Sequence, residues 1–355
     1  MSKYFDEMKE KFEALRLKKD VTILAIESSC DETAVSVVRN GREVLSNIVA
    51  SQIDIHKKFG GVVPEVASRN HIMAISGCFK EALSEANLTE KDIDAIAVTY
   101  GAGLIGALLV GINFAKTIAY ALNLPLIAVS HVHGHISANY LSHPSLTPPF
   151  VCLMVSGGHT ALLEVKDYAK ISEIGSTVDD SAGECFDKVA RVLGLSYPGG
   201  PNIEKLACDG ADVVKFNYHE PLKDTFNFSF SGLKTAVINY VHQKEQKGEE
   251  FNKADVASSF QELATETLSE KAVKCCLKMR QRKLVVAGGV GANSVLRDKL
   301  TKKCKKENIE VFFPNLKYCT DNAGMIGSMA YYYLKAGIGL ADLTLTGKPN
   351  VPITL

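Results

Sequence analysis

Two histidines one helical turn apart are the residues of this sequence best suited to metal chemistry. They lie in HVHGHI, residues 131–136, directly after the apolar run LPLIAVS. If a helix begins here, His131 and His135 share one face with their Cβ atoms about 5–6 Å apart, which suits two nitrogens on one ion, while His133 points elsewhere. The opposing interpretation is that the histidines only cap and solvate a strand end, since such spacings also arise without a metal.

A further ligand is needed to complete such a site, and Asp321 is the strongest remote candidate. It lies in the polar turn CTDNAG, which opens the helix predicted over NAGMIGSMAYYYLKAG. Two imidazoles and one carboxylate leave coordination positions open for substrate or water, and this donor set suits iron(II) or zinc. His131, His135 and Asp321 are therefore candidate ligands for one divalent ion, Fe²⁺ or Zn²⁺.

The residue after the first histidine argues against peptide hydrolysis. In an HExxH peptidase, a glutamate at this place serves as the general base. Here the residue is Val132. A metal at this place would therefore lack the glutamate general base that peptide hydrolysis needs.

Three turns of small or polar residues could form a nucleotide site. The SGG turn, residues 156–158, follows an apolar strand, and small residues let backbone N–H groups reach phosphate oxygens. Asp31 and Glu32 lie in a second turn and could orient a hydrated divalent ion on the phosphates. The third, GGVGAN, ends at Asn293, whose amide could hydrogen-bond adenine or ribose, but it lacks the Walker lysine and hydroxyl. Each hairpin turn alone would be an ordinary connection, so the hypothesis rests on their pairing.

The elements around these turns repeat in the two halves of the chain. VTILAIE, SSCDET and AVSVV predict a hairpin near the start, and FVCLMV, SGGHT and ALLEV predict another at residues 150–165. Each half continues with a strand, a glycine turn, a helix and another apolar strand, which indicates parallel β–α–β packing. Gly106 and Gly111 lie inside the first such helix, so either packing or a ligand must approach that backbone closely. The pattern indicates a duplicated α/β fold.

Length and composition limit the remaining possibilities. With 355 residues, 46% of them hydrophobic, the chain can fill two cores. Lysine plus arginine and aspartate plus glutamate each number 40, so any nucleic-acid surface must be local or shared. The nine cysteines include no CxxC pair, which is typical of reduced thiols. Without a long apolar run or a signal peptide, we predict a cytoplasmic protein with no membrane partner.

Three regions follow from these patterns. Residues 1–20 form a charged extension that can fold as an amphipathic helix, which we expect to be an appendage. Residues 21–145 form a first lobe with the metal-binding histidines. Residues 146–355 form a second lobe with the nucleotide-binding loops.

Several longer motifs together resemble the TsaD family of bacterial tRNA threonylcarbamoyladenosine transferases. The resemblance runs from about residue 22 to about residue 337 in the family's order. It rests on SSCDETAVSVV, GGVVPEVASRNH, KTIAYALNLPLIAVSHVHGHI, VSGGHT, GECFDKVARVLGLSYPGGP, FSFSGLKTA and TDNAGMIG.

The resemblance implies the actin-like, Hsp70-like ASKHA fold. It also implies transfer of threonylcarbamoyl from its adenylate to the exocyclic amine of the adenosine 3′ of the anticodon, in tRNAs that read codons beginning with adenine. By motif match, His131, His135 and Asp321 are the metal ligands and His133 is not. The implied adenylate contacts are Met154, Val155, Ser156, Gly157, Gly158, Asp187, Gly200, Glu204 and Asn293.

The sequence leaves the general base and the competing activities open. Asp31, Glu32 and Asp187 are candidate bases by residue type. The family implies the partners TsaB, a related subunit, TsaE, an ATPase, and tRNA, with a TsaC-type synthase making the adenylate, and ATP with Mg²⁺ is a further candidate ligand. A metallopeptidase, as in an old glycoprotease label, an ASKHA small-molecule kinase and a pure scaffold are the alternatives.

Overall fold

Two mixed β-sheets, each built on an antiparallel hairpin, organise residues 3–355, the part of the chain that the computed structural model describes. The first two residues of the predicted extension lie outside this range. The strands are β1 (Thr22–Glu27), β2 (Glu32–Arg39), β3 (Glu43–Ser51), β4 (Ala95–Gly101), β5 (Leu126–Ser130), β6 (Phe150–Val155), β7 (Thr160–Asp167), β8 (Lys170–Ser176), β9 (Lys283–Ala287), β10 (Glu310–Phe312) and β11 (Leu340–Ala341). The helices are α1 (Lys3–Leu17), α2 (Ile53–His56), α3 (Pro64–Glu85), α4 (Ile105–Leu122), α5 (His131–Ser142), α6 (Ala182–Val192), α7 (Gly199–Ala207), α8 (Ser231–Lys247), α9 (Lys253–Lys278), α10 (Ser294–Lys306) and α11 (Ala323–Ala336).

The first sheet has the strand order β11-β5-β4-β1-β2-β3. Its hairpin pairs β1 with β2 antiparallel, and β1, β4 and β5 run parallel. Every residue of β1 is buried, because helices cover both faces of the sheet, and this explains the unbroken apolar run. The predicted hairpin and the predicted β–α–β unit are both confirmed.

The second sheet, ordered β10-β9-β6-β7-β8, repeats this plan. Strands β6 and β7 form its hairpin, and β6, β9 and β10 run parallel. Alternate side chains of β6 enter two different hydrophobic clusters, with Met154 in one and Val155 in the other. The cluster around Met154 also contains residues of the first sheet and of α5, so α5 lies between the two sheets. The predicted duplication is confirmed at the level of architecture.

The chain returns to the first sheet after completing the second. Helix α11 packs against α5, β1 and β2, and β11 pairs antiparallel with β5. Since α11 is apolar around most of its circumference, it needs cover on several sides, and the gap beside α5 supplies it. Residues 323–341 thus pack with the first sheet, although they lie within residues 146–355, the range predicted for the second lobe.

The N-terminal helix α1 is packed rather than detached. Met8 and Phe12 are only 1% and 2% exposed. The Lys335 ammonium on α11 donates to the carbonyls of Arg16 and Lys18 at the end of this helix, at 2.9 and 2.7 Å. The amphipathic helix was predicted correctly, but it is not an appendage.

Helix α4 is the one described helix with the length and apolar character of a membrane span, with a mean hydropathy of 1.6. Core helices pass the same test, and Leu108 and Ile112 of α4 are fully buried in a cluster over the first sheet. A Cβ atom at Gly111 would lie 2.3 Å from Ser28 Oγ, and one at Gly106 would lie 2.5 Å from Ser68 Oγ. Both glycines therefore allow close packing within the protein.

Candidate metal centre and nucleotide cleft

The two histidines of HVHGHI occupy one face of α5, which begins at His131 directly after β5. Their ring centroids are 4.6 Å apart, and both side chains are buried. Asp321 comes just before α11, whose first turn is capped by Asn322. Asp321 Oδ1 lies 3.5 Å from His131 Nε2 and 3.3 Å from His135 Nε2. The predicted trio therefore meets, with possible ligand atoms all within 4.8 Å of one another.

Glu27, at the carboxyl end of β1, orients the first of these histidines. Its Oε2 lies 3.1 Å from His131 Nδ1 and accepts a 2.6 Å hydrogen bond from Thr99 Oγ1. A carboxylate on Nδ1 keeps the proton there and leaves Nε2 free to bind an ion. Sequence reasoning missed Glu27, whose only signal was a charged residue ending an apolar strand.

Alternating charges dominate this cluster. Burial alone would lower the pKa of His131, but the carboxylates of Asp321 and Glu27 raise it to about 9. Burial would raise the pKa of Asp321, but His131 and His135 lower it to about 2. Burial likewise favours neutral Glu27, yet His131 holds its pKa below the usual range. The centre therefore requires positive charge between two carboxylates.

The donor atoms fit a divalent ion. Within residues 3–355, neither ring nitrogen of the buried His135 makes a hydrogen bond. Its Nε2 lies 3.3 Å from Asp321 Oδ1 but does not have hydrogen-bond geometry. An orphaned imidazole aimed at a carboxylate and a second imidazole is the arrangement expected of metal ligands. His131, His135 and Asp321 could thus hold a metal, while the donor set suits iron(II) as well as zinc.

A cavity of about 420 Å³ adjoins the trio and is lined by both hairpin turns. Most of the predicted site residues line it: Asp31, Glu32, His131, His135, Ser156, Gly157, Gly158, Asp187, Gly200, Glu204, Asn293 and Asp321. Met154 and Val155 do not, since both side chains are fully buried in the clusters on either side of β6.

The SGG turn is fixed against the first turn of α6. Ser181 caps α6 by accepting from the Glu184 N–H, and its hydroxyl also donates to the Gly157 carbonyl. A Cβ atom at Gly183 would lie 2.7 Å from the Ser156 carbonyl oxygen and 2.9 Å from the Gly157 nitrogen. Glycine at 183 therefore lets the helix N-terminus, a favourable site for anions, reach the turn.

Asp187, Glu204 and Asn293 already have protein partners at the far side of the cavity. Asp187 Oδ1 accepts from the Gly199 N–H at 2.6 Å, and burial raises the pKa of this carboxyl. Glu204 Oε1 accepts from the Ser294 N–H at 2.8 Å. Asn293 caps α10 through Oδ1 and donates through Nδ2 to the Gln261 side chain at 2.8 Å. These residues shape the loops that face the cavity.

Among the candidate bases, Glu32 is held protonated by its surroundings. Burial, followed by the charges of Asp321 and Asp31, raises the pKa of Glu32 to about 9, so Glu32 holds a proton at neutral pH. The Tyr197 hydroxyl donates to Asp31 Oδ2 at 3.4 Å. Asp31 and Glu32 share the metal side of the cavity, while Asp187 lies on α6.

His159 is a further cavity residue to which the sequence gave no role. It follows the SGG turn, and its N–H donates to Ser156 Oγ at 3.1 Å. Burial and the nearby His131 and His135 lower its pKa to about 4, so it presents a neutral imidazole. The only signal was its presence in the SGGHT motif.

The chain is similar to known proteins over most of its length. The family profile described as "TsaD: tRNA N6-adenosine threonylcarbamoyltransferase" matches residues 43–328. Proteins named tRNA N6-adenosine threonylcarbamoyltransferase are 58% identical in Clostridium perfringens (93% of this chain, 97% of that one) and 55% identical in Clostridium botulinum (95% and 99%). The crystal structure of HypF from T. kodakarensis superposes with a TM-score of 0.62 at 15% identity, over 92% of this chain and 49% of that one, and shows the shared actin-like fold. The chain belongs to the TsaD family of tRNA N6-adenosine threonylcarbamoyltransferases.

Proposed function

We propose that this chain transfers threonylcarbamoyl from threonylcarbamoyl-adenylate to the exocyclic amine of the adenosine 3′ of the anticodon in tRNAs that read codons beginning with adenine. The observation that carries the proposal is that the trio His131, His135 and Asp321 and the two hairpin turns line one cavity. Such a cavity can hold an adenylate with its phosphate and its acyl carbon between the lobes.

Different groups of the chain bind the phosphate and the nucleoside of the adenylate in this reaction. Backbone N–H groups of the SGG turn, beside the α6 N-terminus, bind the phosphate and stabilise AMP as it leaves. Asp187, Glu204 and Asn293 shape the loops against the nucleoside. The amine nitrogen forms a bond to the carbamoyl carbon as the bond from that carbon to the phosphate oxygen breaks.

The proton released by the amine must pass to a base. Asp31, Glu32 and Asp187 all line the cavity, and Glu32 would first have to lose its own proton. Fe²⁺ or Zn²⁺ on His131, His135 and Asp321 would supply Lewis-acid polarisation of the threonylcarbamoyl group.

We further propose that the chain acts in the cytoplasm with partners of the TsaB and TsaE kinds and with tRNA. Its 40 basic and 40 acidic residues give no net charge, which favours a tRNA surface shared with a partner. ATP with Mg²⁺ is a second candidate ligand of the same cavity.

A reconstituted reaction tests the proposal. Unmodified tRNA would be incubated with the chain, its partners, the synthase, threonine, bicarbonate and ATP, and the digested nucleosides analysed by mass. We expect threonylcarbamoyladenosine only when this chain is present. Equal product without the chain would refute the proposal, as would a cleaved protein or a phosphorylated small molecule as its sole product.

A further inference from the structure

The C-terminal tail, residues 348–355, connects the loop beside the candidate site with the second sheet. The Pro349 carbonyl accepts from the Gly103 N–H at 3.0 Å. Gly103 belongs to the loop after β4 that lines the cavity. At the other end of the tail, the Leu355 N–H donates to the Ile171 carbonyl on β8 at 2.9 Å. The tail therefore contacts both sheets and passes beside α5.

Between these ends, the tail is bound by His133 of α5. His133 Nε2 lies 2.6 Å from the Ile353 carbonyl oxygen, and Nδ1 lies 2.5 Å from the Tyr333 hydroxyl. A carbonyl can only accept, so Nε2 carries the proton and Nδ1 accepts from the tyrosine. Tyr333 lies on α11, and His133 is only 1% exposed. One buried side chain thus joins α5, α11 and the tail.

A cavity borders the start of α5 on the side of the tail. Ser130, the N-cap residue of α5, makes no capping bond, and its hydroxyl finds no partner within residues 3–355. A cavity of about 790 Å³ lies here, lined by Ser130, His133, Tyr333 and part of the tail. On the α11 side, by contrast, a Cβ atom at Gly134 would lie only 2.7 Å from Ile326 Cδ1. Helix α5 is therefore packed closely against α11, and beside this cavity His133 joins it to the tail.

We propose that His133 is a positioning residue, through which the tail fixes the rotation of α5 relative to α11. Helix α5 carries His131 and His135, and Asp321 comes just before α11, so this rotation sets the distances among the three candidate ligands. Ligand geometry must be held within about 0.5 Å for tight binding, and the two hydrogen bonds of His133 link α5 to both α11 and the tail. The inference rests on the metal site of the proposed function.

Zinc binding to the purified chain tests this role. The variants are His133→Ala, a truncation that ends the chain at Pro352, and the combination of both. We expect each single change to weaken zinc affinity by about 10-fold to 100-fold, measured by competition with a chromogenic chelator. Because both changes break the same contact, the double variant should bind zinc about as tightly as the weaker single variant.

Two controls separate positioning from general stability. Removal of Leu355 alone keeps the Ile353 carbonyl and should leave zinc affinity unchanged. His133→Gln can still donate to that carbonyl and should retain most of the affinity. Thermal unfolding of the metal-free variants is measured alongside, and if His133→Ala does not fold, the truncation at Pro352 alone carries the test of this contact.

The outcomes distinguish this inference from the proposed function. If the unaltered chain binds no zinc, the metal site itself is refuted, and the inference with it. If the unaltered chain and both single variants bind zinc equally while the unfolding temperature falls, His133 is only a satisfied core histidine and the inference alone fails. Additive losses in the double variant would equally overturn it, because the tail and His133 would then act separately.

Discussion

At the scale of single residues, the candidate centre is a row of carboxylate, imidazole and carboxylate. Glu27 and Asp321 flank His131, with its Nδ1 facing one and its Nε2 facing the other. Buried carboxylates without positive charge between them are costly. In the metal-free protein a proton on His131 supplies that charge, and a divalent ion bound at Nε2 would replace it.

Zinc binding should therefore release a proton. Burial opposes charge on His131, but Asp321 and Glu27 raise its pKa to about 9, so Nε2 is protonated at neutral pH and must lose this proton to bind an ion. We expect zinc affinity to increase about tenfold per pH unit from pH 7 to pH 9. Calorimetry in buffers of different ionisation enthalpy measures the released proton, and a pH-independent affinity would contradict this origin of the charge.

Replacing Glu27 by glutamine should weaken the metal site. The amide can still contact His131 but removes the buried charge, and loss of such a partner typically costs about 10-fold to 100-fold in metal affinity. Ser29→Ala is the matched control, because Ser29 Oγ lies at the same 3.1 Å from His131 Nδ1 without carrying charge. Zinc titration of both variants checks this, and a larger loss in Ser29→Ala would count against the carboxylate.

The sequence predicted that His131, His135 and Asp321 would meet but did not predict their neighbour Glu27, for a physical reason. A spacing of i and i+4 places His131 and His135 together by local helix geometry alone. Glu27, by contrast, is 104 residues from His131 along the chain and becomes its neighbour only because β1 and β5 lie in the same sheet. Neighbouring residues can likewise differ in accessibility. Met154 and Val155 directly precede the SGG turn, yet their side chains are buried in the hydrophobic clusters and do not reach the cavity.

At the scale of elements, the fit between α6 and the SGG turn positions the proposed phosphate site. The contact depends on a glycine in the first turn of α6, because the backbone of the SGG turn occupies the space of any side chain at that position. The anion-binding end of a helix is useful only if it can approach the ligand.

Gly183→Ala should therefore weaken adenylate binding. The new methyl group would lie 2.7 Å from the Ser156 carbonyl oxygen and must displace the turn. We expect threonylcarbamoyl-adenylate or AMP to bind about 10-fold to 100-fold more weakly by calorimetry, since small displacements in a positioned site have large effects. Gly77→Ala on α3, where a Cβ would meet nothing within 4 Å, is the control and should bind normally. Equal binding by both variants would contradict the role of this contact.

At the scale of the whole molecule, the two ends of the chain complete the first lobe. Helix α11 covers α5 and the first sheet, and α1 packs in turn on α11. Residues 323–341 thus support the same lobe as residues 22–142, although the second sheet separates them in sequence. Local patterns predicted both hairpins and both β–α–β units, but which sheet a later helix covers depends on the space left by elements far away in sequence.

Loss of the α1 contact should destabilise the protein. Phe12 is 2% exposed and belongs to the central hydrophobic cluster, so Phe12→Ala should cost about 3–5 kcal/mol of unfolding free energy. Leu17→Ala in the same helix is the control, because Leu17 is 91% exposed and should change stability by less than about 0.5 kcal/mol. Urea unfolding followed by circular dichroism compares them, and similar stability of the two variants would mean that α1 is an appendage after all.

The central claim is that the trio of His131, His135 and Asp321 is the catalytic centre of threonylcarbamoyl transfer. Its most direct test is a single-turnover reaction in which purified threonylcarbamoyl-adenylate and unmodified tRNA are mixed with the partner-bound chain. The metal content of each sample is measured before mixing. We expect rapid formation of threonylcarbamoyladenosine with the metal-loaded chain and loss of both metal and product in His135→Ala. Full transfer by a metal-free His135→Ala variant would contradict the claim.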